Sequence, residues 1–323
     1  MDIFWITFQA VAALLGIGVL GFWIIGRRRV PAPALGLLTA IAIDIALPCL
    51  VLANILTQFT PQKFLGWWHM PLWWIGFTII ALSLSLGTSF LVKKEFRSEF
   101  AMSLFFQNGI FFPLIIIPGL FGNPSTYLVL LFLFIFIQPS MVFSTYPLFF
   151  SRKSKTQAPA LSWRRIVNPV LVMTIIGIFI GLIGIQGYVP NVVIMILSMV
   201  GAMATPLFLL ILGGNVYDDF MNLTADGRSI YAGEVIKFIL VKNLLFPLLF
   251  LGLLIWLRPD YPIAFILVLQ AAMPPITAIP IFTERSDGNR AITNQFIVAS
   301  FVFSIISIPA IIYLFSRFFP FPV

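Results

Sequence analysis

Ten long apolar runs, separated by short polar or basic segments, limit what this chain can fold into. Each run is long enough to cross a lipid bilayer as a helix, which takes about 20 residues. Only 9% of the residues are charged, against roughly a quarter in soluble domains. The sequence therefore predicts an all-α polytopic membrane protein with ten transmembrane helices, at about 3–25, 34–58, 70–92, 100–121, 125–150, 166–186, 190–213, 234–257, 262–283 and 293–315.

The basic residues are concentrated in alternate loops, and this predicts the orientation. One set of loops holds Arg27, Arg28, Arg29, Lys93, Lys94, Arg97, Arg152, Lys153, Lys155, Arg164, Arg165, Arg228, Arg285 and Arg290. The other set holds only Lys63, Arg258 and Arg317. By the positive-inside rule the first set is cytoplasmic, which puts both termini outside a plasma or inner membrane. This placement also accounts for the net charge of +8, so we expect no nucleic-acid partner.

A long basic segment divides the chain into two halves of five predicted helices each. Residues 1–150 form the first five-helix repeat, 151–165 a basic cytoplasmic linker, and 166–323 the second repeat. Because five is odd, the second half enters the membrane from the opposite side. If the halves are homologous, the repeat is inverted.

The predicted fourth and ninth helices carry matching polar and proline residues. A single offset of 162 superposes Asn108 on Gln270, Pro113 on Pro275, and Pro118 on Pro280. Proline inside a helix removes a backbone hydrogen bond and clashes with the preceding turn. Broken helices at matching positions of two inverted halves are typical of the central site of a transporter.

These breaks are the candidate substrate site. Half-helix N-termini favour anions, and the amides of Asn108 and Gln270 lie beside the breaks, so we predict that both bind substrate. The prolines Pro113, Pro274 and Pro275 are expected to line the same site. The alternative is that the prolines only kink packed helices.

Three further polar residues fall within predicted spans. Asp44 is the only acid near the middle of any span; an intramembrane carboxyl is a candidate proton carrier, and the alternative is a hydrogen-bonded helix contact. Gln138 is either a donor lining the site or a contact between helices. Lys242 lies deep in the eighth predicted helix, where its charge would attract an anion.

Other kinds of chemistry lack their usual residues. Cys49 is the only cysteine and His69 the only histidine, so we expect no disulfide, no metal centre and no cofactor. An intramembrane enzyme would need paired acids or a nucleophile with a base at one depth, and Asp44 stands alone. We therefore expect that the chain is not an enzyme.

Several segments resemble the auxin efflux carrier family, which includes plant PIN exporters and bacterial permeases. They are Arg165-Ile-Val-Asn-Pro169, Ala-Thr-Pro206-Leu-Phe-Leu-Leu-Ile-Leu-Gly213-Gly214, Gln107-Asn108-Gly109, Ala271-Ala-Met-Pro274 and Glu284-Arg-Ser-Asp-Gly288. The resemblance implies two inverted five-helix repeats whose fourth and ninth helices are broken and cross at prolines. It also implies a scaffold of helices 1, 2, 6 and 7, a homodimer through helices 2 and 7, and a transport domain that moves like an elevator. Asn108 would contact a carboxylate, and Gln138 would line the pocket.

The favoured function is secondary transport of a small organic anion, a carboxylate such as a dicarboxylate or an auxin-like acid, by proton coupling or uniport. One alternative is a sodium-coupled organic anion symporter of the bile acid type. Another is a membrane sensor that binds a ligand without transporting it.

Overall fold

The computed structural model describes residues 3–27, 31, 33–62, 66–122, 125–150, 169–225 and 230–321. The first half contains α1 (Ile3–Gly26), α2 (Pro33–Ile41), α3 (Leu47–Gln58), α4 (His69–Thr88), α5 (Arg97–Phe105), α6 (Pro113–Phe121), α7 (Thr126–Ile135) and α8 (Gln138–Thr145). The second half contains α9 (Pro169–Ile183), α10 (Asn191–Ala202), α11 (Ala204–Ala225), α12 (Ala232–Ile239), α13 (Phe246–Leu257), α14 (Tyr261–Ala272), α15 (Ile279–Arg285) and α16 (Arg290–Phe318). The linker predicted at 151–165 lies outside the described residues.

The described helices are those of a multi-pass membrane protein. Six are long and apolar enough to span a bilayer: Ile3–Gly26, Ala34–Gln58, His69–Leu91, Asn191–Tyr217, Ala232–Leu257 and Arg290–Phe318. Shorter apolar helices lie at Thr126–Ile135, Pro169–Ile183 and Tyr261–Ala272. Large apolar side chains such as Trp5, Ile79, Phe90 and Met199 are exposed on the outer surface. Such a surface suits lipid and would not suit water.

Proline determines where two of the predicted helices are interrupted. The run predicted at 100–121 unwinds after α5, and Pro113 occupies the first turn of α6, where its missing N–H does no harm. The run predicted at 262–283 unwinds after α14, just before Pro274 and Pro275. Residues 106–112 and 273–278 therefore form two irregular segments between half-helices.

The seventh predicted helix is longer than expected. We predicted an end at residue 213, but α11 continues to Ala225. The pair Gly213 and Gly214 does not end the helix because it serves helix packing: a Cβ at Gly213 would collide with the carbonyl oxygen of Gly18 in α1. The backbones of α1 and α11 thus touch directly, as small residues permit in membrane helices.

The helices fall into two groups by the way they pack. Helices α1, α3, α9, α10 and α11 meet at glycines, such as Gly201 against the backbone of Leu50. By contrast, α5, α12 and α16 meet through stacked and edge-on phenylalanines. The ring centroid of Phe238 lies 4.4 Å from that of Phe296 and 5.5 Å from that of Phe100. We call the two sets the glycine-packed group and the phenylalanine-packed group.

Two spans contain a π turn, and each of these turns carries an ionisable residue. Asp44 lies in Ala42–Ala46, between α2 and α3, and Lys242 lies in Leu240–Leu245, between α12 and α13. A π turn widens the helix locally and is frequent at functional sites. The two side chains point differently: that of Asp44 is exposed and that of Lys242 is buried.

Candidate functional site

The two irregular segments contact each other as a short antiparallel bridge. Gln107 pairs with Pro275. The backbone N–H of Asn108 donates to the carbonyl oxygen of Pro274 at 2.7 Å, and the backbone N–H of Ile276 donates to the carbonyl oxygen of Phe106 at 3.0 Å. Unwound backbone inside a membrane must find partners within the protein. Here each segment supplies them to the other, and we call the contact the crossing.

Two glutamine side chains satisfy the remaining carbonyl groups of the crossing. Gln138, at the start of α8, donates from Nε2 to the carbonyl of Gln107 at 3.0 Å. Gln270, in α14, donates from Nε2 to the carbonyl of Gly109 at 2.9 Å. Since a carbonyl can only accept, these bonds fix which way each amide points. Both nitrogens therefore stabilise the fold of the crossing, and each keeps a second N–H.

Asn108 is positioned differently from the two glutamines. Its Oδ1 accepts from the amide N–H of Phe111 at 3.2 Å and so caps the turn that leads into α6. Its Nδ2 is buried and has no hydrogen-bond partner within the described part of the chain, and the same is true of Oε1 of Gln138 and of Gln270. A buried polar atom without a partner is rare and costly. The crossing thus presents one wholly unpaired amino group, that of Asn108, and two free acceptor oxygens, besides the second N–H of each glutamine.

The two free oxygens converge on Gly109, which the sequence analysis noted only as part of a motif. An added Cβ at Gly109 would overlap Oε1 of Gln270 and lie 2.8 Å from Oε1 of Gln138. Any larger residue would therefore displace both amides. Only tertiary contacts reveal this requirement, because the backbone of Gly109 does not have a positive φ.

The crossing is closed in this structure. Asn108, Gln138 and Gln270 are 2%, 5% and 0% exposed, and Pro113, Pro274 and Pro275 are buried with them. Hydrogen bonds and the bridge place Asn108, Gln138, Gln270, Pro274 and Pro275 at the crossing. Pro113, the sixth predicted residue, follows the crossing in the chain at the start of α6.

A cavity of about 330 Å³, open on one side, begins at the first turn of α6 and lies between the glycine-packed group and α6–α7. It is lined by Leu50, Leu114, Ile115, Pro118, Leu128, Ala202 and Thr205. Its volume is in the range of small-molecule pockets. The lining is apolar apart from one threonine.

Asp44 does not join this cluster. Its side chain is exposed and lies in the π turn that contacts α9, α10 and α11. A carboxyl group exposed there would meet lipid, water or another subunit, whereas the three amides are enclosed by the protein.

The comparison with known families agrees with this geometry. The family model described as "Membrane transport protein" matches residues 6–160 and 158–312, and so covers both halves of the chain. Among curated proteins, none matches the chain. Because the two matches cover nearly the whole sequence, the chain belongs to this family of membrane transport proteins, the auxin efflux carrier family.

Proposed function

We propose that this protein is a secondary transporter of a small organic anion, a carboxylate, which binds at the crossing. The observation that carries this proposal is the free Nδ2 of Asn108, a buried donor at the meeting point of two broken helices. A carboxylate oxygen would satisfy it. An amide N–H group is a neutral donor of the kind that a carboxylate oxygen accepts from.

The cavity beside α6 supports a substrate with an apolar body. With its volume of about 330 Å³ and its lining of leucine, isoleucine, proline and alanine, it would accept a ring or short chain. A dicarboxylate would have to bury a second charge there without a partner. We therefore favour a monocarboxylate, such as an auxin-like acid, over a dicarboxylate.

The proposed mechanism is an elevator-like movement of one helix group against the other. Direct backbone contacts such as that between Gly213 and Gly18 would suit a rigid scaffold of the first, second, sixth and seventh helices. The half-helices of the crossing would move with the phenylalanine-packed group. The proposal includes two inverted five-helix repeats, both termini outside the plasma or inner membrane, and a homodimer through the second and seventh helices.

Proton coupling through Asp44 is part of the proposal. The exposed carboxyl needs water or a second subunit around it, because lipid would solvate its ionised form poorly. A carboxyl in the second helix that gains and loses a proton during the cycle would link uptake to the proton gradient.

Sodium-coupled symport is a second candidate, and a specific observation favours it. The free Oε1 atoms of Gln138 and Gln270 converge on Gly109. Amide oxygens are ligands for hard cations, so a sodium ion held there would supply their missing partner. A hydroxyl or N–H group of the substrate would do the same.

Counterflow in proteoliposomes tests the proposal. Vesicles containing the purified protein and preloaded with an unlabelled carboxylate should accumulate the labelled compound transiently above equilibrium. Sodium-coupled symport requires that replacing sodium with choline abolishes the uptake. Binding of a carboxylate without any uptake would identify a sensor and contradict transport.

A further inference from the structure

Lys242 is a lysine buried completely within a helical span. Its Nζ donates to the carbonyl oxygen of Leu104 at 3.2 Å and lies 4.5 Å from the centroid of the Phe246 ring. The side chain is 0% exposed. Among the residues that the structure describes, no carboxylate lies within ion-pair distance of it.

The neighbours of Lys242 in the π turn hold the ammonium in place. On one side, Val241 belongs to the phenylalanine cluster that joins α5, α12 and α16. On the other side, Asn243 donates to the hydroxyl of Ser304 at 3.1 Å and accepts from that of Ser300 at 2.8 Å. The charge is therefore fixed in the part of the molecule that carries the crossing.

A buried charge without a counter-ion is unfavourable, and an apolar side chain of similar size would cost less. Lys237, five residues earlier, shows the usual arrangement: its side chain is 45% exposed and Nζ lies 3.3 Å from a carboxylate oxygen of Glu234. Lys242 is 0% exposed, and no acid among the described residues pairs with it. An anion bound from outside the chain would supply this counter-ion.

Lys242 lies close to the proposed substrate site, because Nζ contacts the carbonyl oxygen of Leu104. Leu104 is in the last turn of α5, four residues before Asn108, so at most about 14 Å of chain separates them. The C-terminal end of a helix carries roughly half a negative charge. The ammonium outweighs this end of α5, which leaves about half a positive charge next to the crossing.

We propose that Lys242 is the fixed countercharge of the transported anion and makes the site selective for a monoanion. This inference rests on the proposed function, since it presumes a substrate at the crossing. A neutral analogue would lose the attraction, and a dianion would bring a second charge without a partner. For an anion about 10 Å from Nζ and an effective dielectric constant of about 20, the ammonium by itself, counted as a full charge, contributes roughly ten- to twenty-fold in affinity.

The test compares the charge preference of four variants with that of the wild type. The probes are phenylacetate as monoanion, phenylacetamide as its neutral counterpart and succinate as dianion, each measured by equilibrium binding to purified protein. Lys242→Met removes the charge, Lys242→Gln removes it but keeps a donor for Leu104, and Lys242→Arg keeps it. Lys237→Met is the matched control on the same span.

We expect the preference of the wild type for phenylacetate over phenylacetamide to fall about ten-fold in both neutral variants, with phenylacetamide binding changed less than two-fold. Lys242→Arg and Lys237→Met should keep the wild-type preference for phenylacetate over phenylacetamide. A purely structural role would weaken both probes equally and would overturn the assignment. Failure of both neutral variants to fold, with Lys242→Arg folded, would also overturn it. If folded wild-type protein, checked by its thermal melting, binds none of the three probes, the proposed function fails and the assignment of Lys242 fails with it.

Discussion

Substitutions at Asn108 can distinguish two hydrogen-bonding roles of its side chain, because a different atom performs each role. Oδ1 caps the turn before α6 through the N–H of Phe111, and Nδ2 is free to bind a carboxylate. Asn108→Ala loses both roles. The lost cap should cost about 1 kcal/mol of stability. The lost hydrogen bond to a charged group should cost roughly 1.5–3 kcal/mol of binding, or about ten- to hundred-fold in Kd.

Asn108→Ser is the matched variant. Serine caps helices about as well as asparagine, but its hydroxyl stops short of the position of Nδ2. We therefore expect Asn108→Ser to melt near the wild-type temperature in a thermal-shift assay and still to bind the carboxylate as weakly as the alanine variant in a scintillation proximity assay. Wild-type affinity in the serine variant would refute the reasoning, because the amide nitrogen would then have no contact with the substrate.

Three further substitutions test other parts of the account. Gly109→Ala should abolish carboxylate uptake in proteoliposomes by displacing both glutamine amides. Gly87→Ala is the control, because open space surrounds that glycine, and it should leave uptake unchanged. Equal uptake by the two variants would show that the amides are dispensable. Gly213→Ala should destabilise the protein by about 1–3 kcal/mol through the collision with Gly18, seen as a lower melting temperature, and an unchanged melting temperature would contradict the close contact of α1 and α11. Asp44→Asn should fold and bind substrate yet lose the dependence of uptake on the proton gradient, and full activity with unchanged pH dependence would leave Asp44 a structural residue.

The sequence predicted the two helix breaks because the signal of each is local, whereas the crossing of the broken helices was implied by the family resemblance. Proline acts on the helix that contains it, so Pro113 and Pro275 indicated the two breaks, and the shared offset indicated that the breaks correspond. Asn108 and Gln270, which lie next to the breaks, were assigned to the site because burying an amide within a span is unfavourable unless it has a partner. Each break depends on neighbours in sequence, so the chain alone reveals it.

The details that decide chemistry depend on tertiary contacts, and the sequence could not supply them. Which amide atoms are free depends on the carbonyl groups that Gln138 and Gln270 meet across the crossing. The outward direction of Asp44 depends on which face of its helix is covered. The length of α11 depends on the fit of Gly213 against another helix, whereas a glycine pair in sequence usually suggests an end.

The most direct test of the central claim is an experimental structure of the protein with its transported carboxylate bound. The account predicts a carboxylate oxygen about 2.7–3.2 Å from Nδ2 of Asn108, with the apolar part of the substrate in the cavity beside α6. Substrate density away from the crossing, with Nδ2 of Asn108 still without a partner, would contradict it.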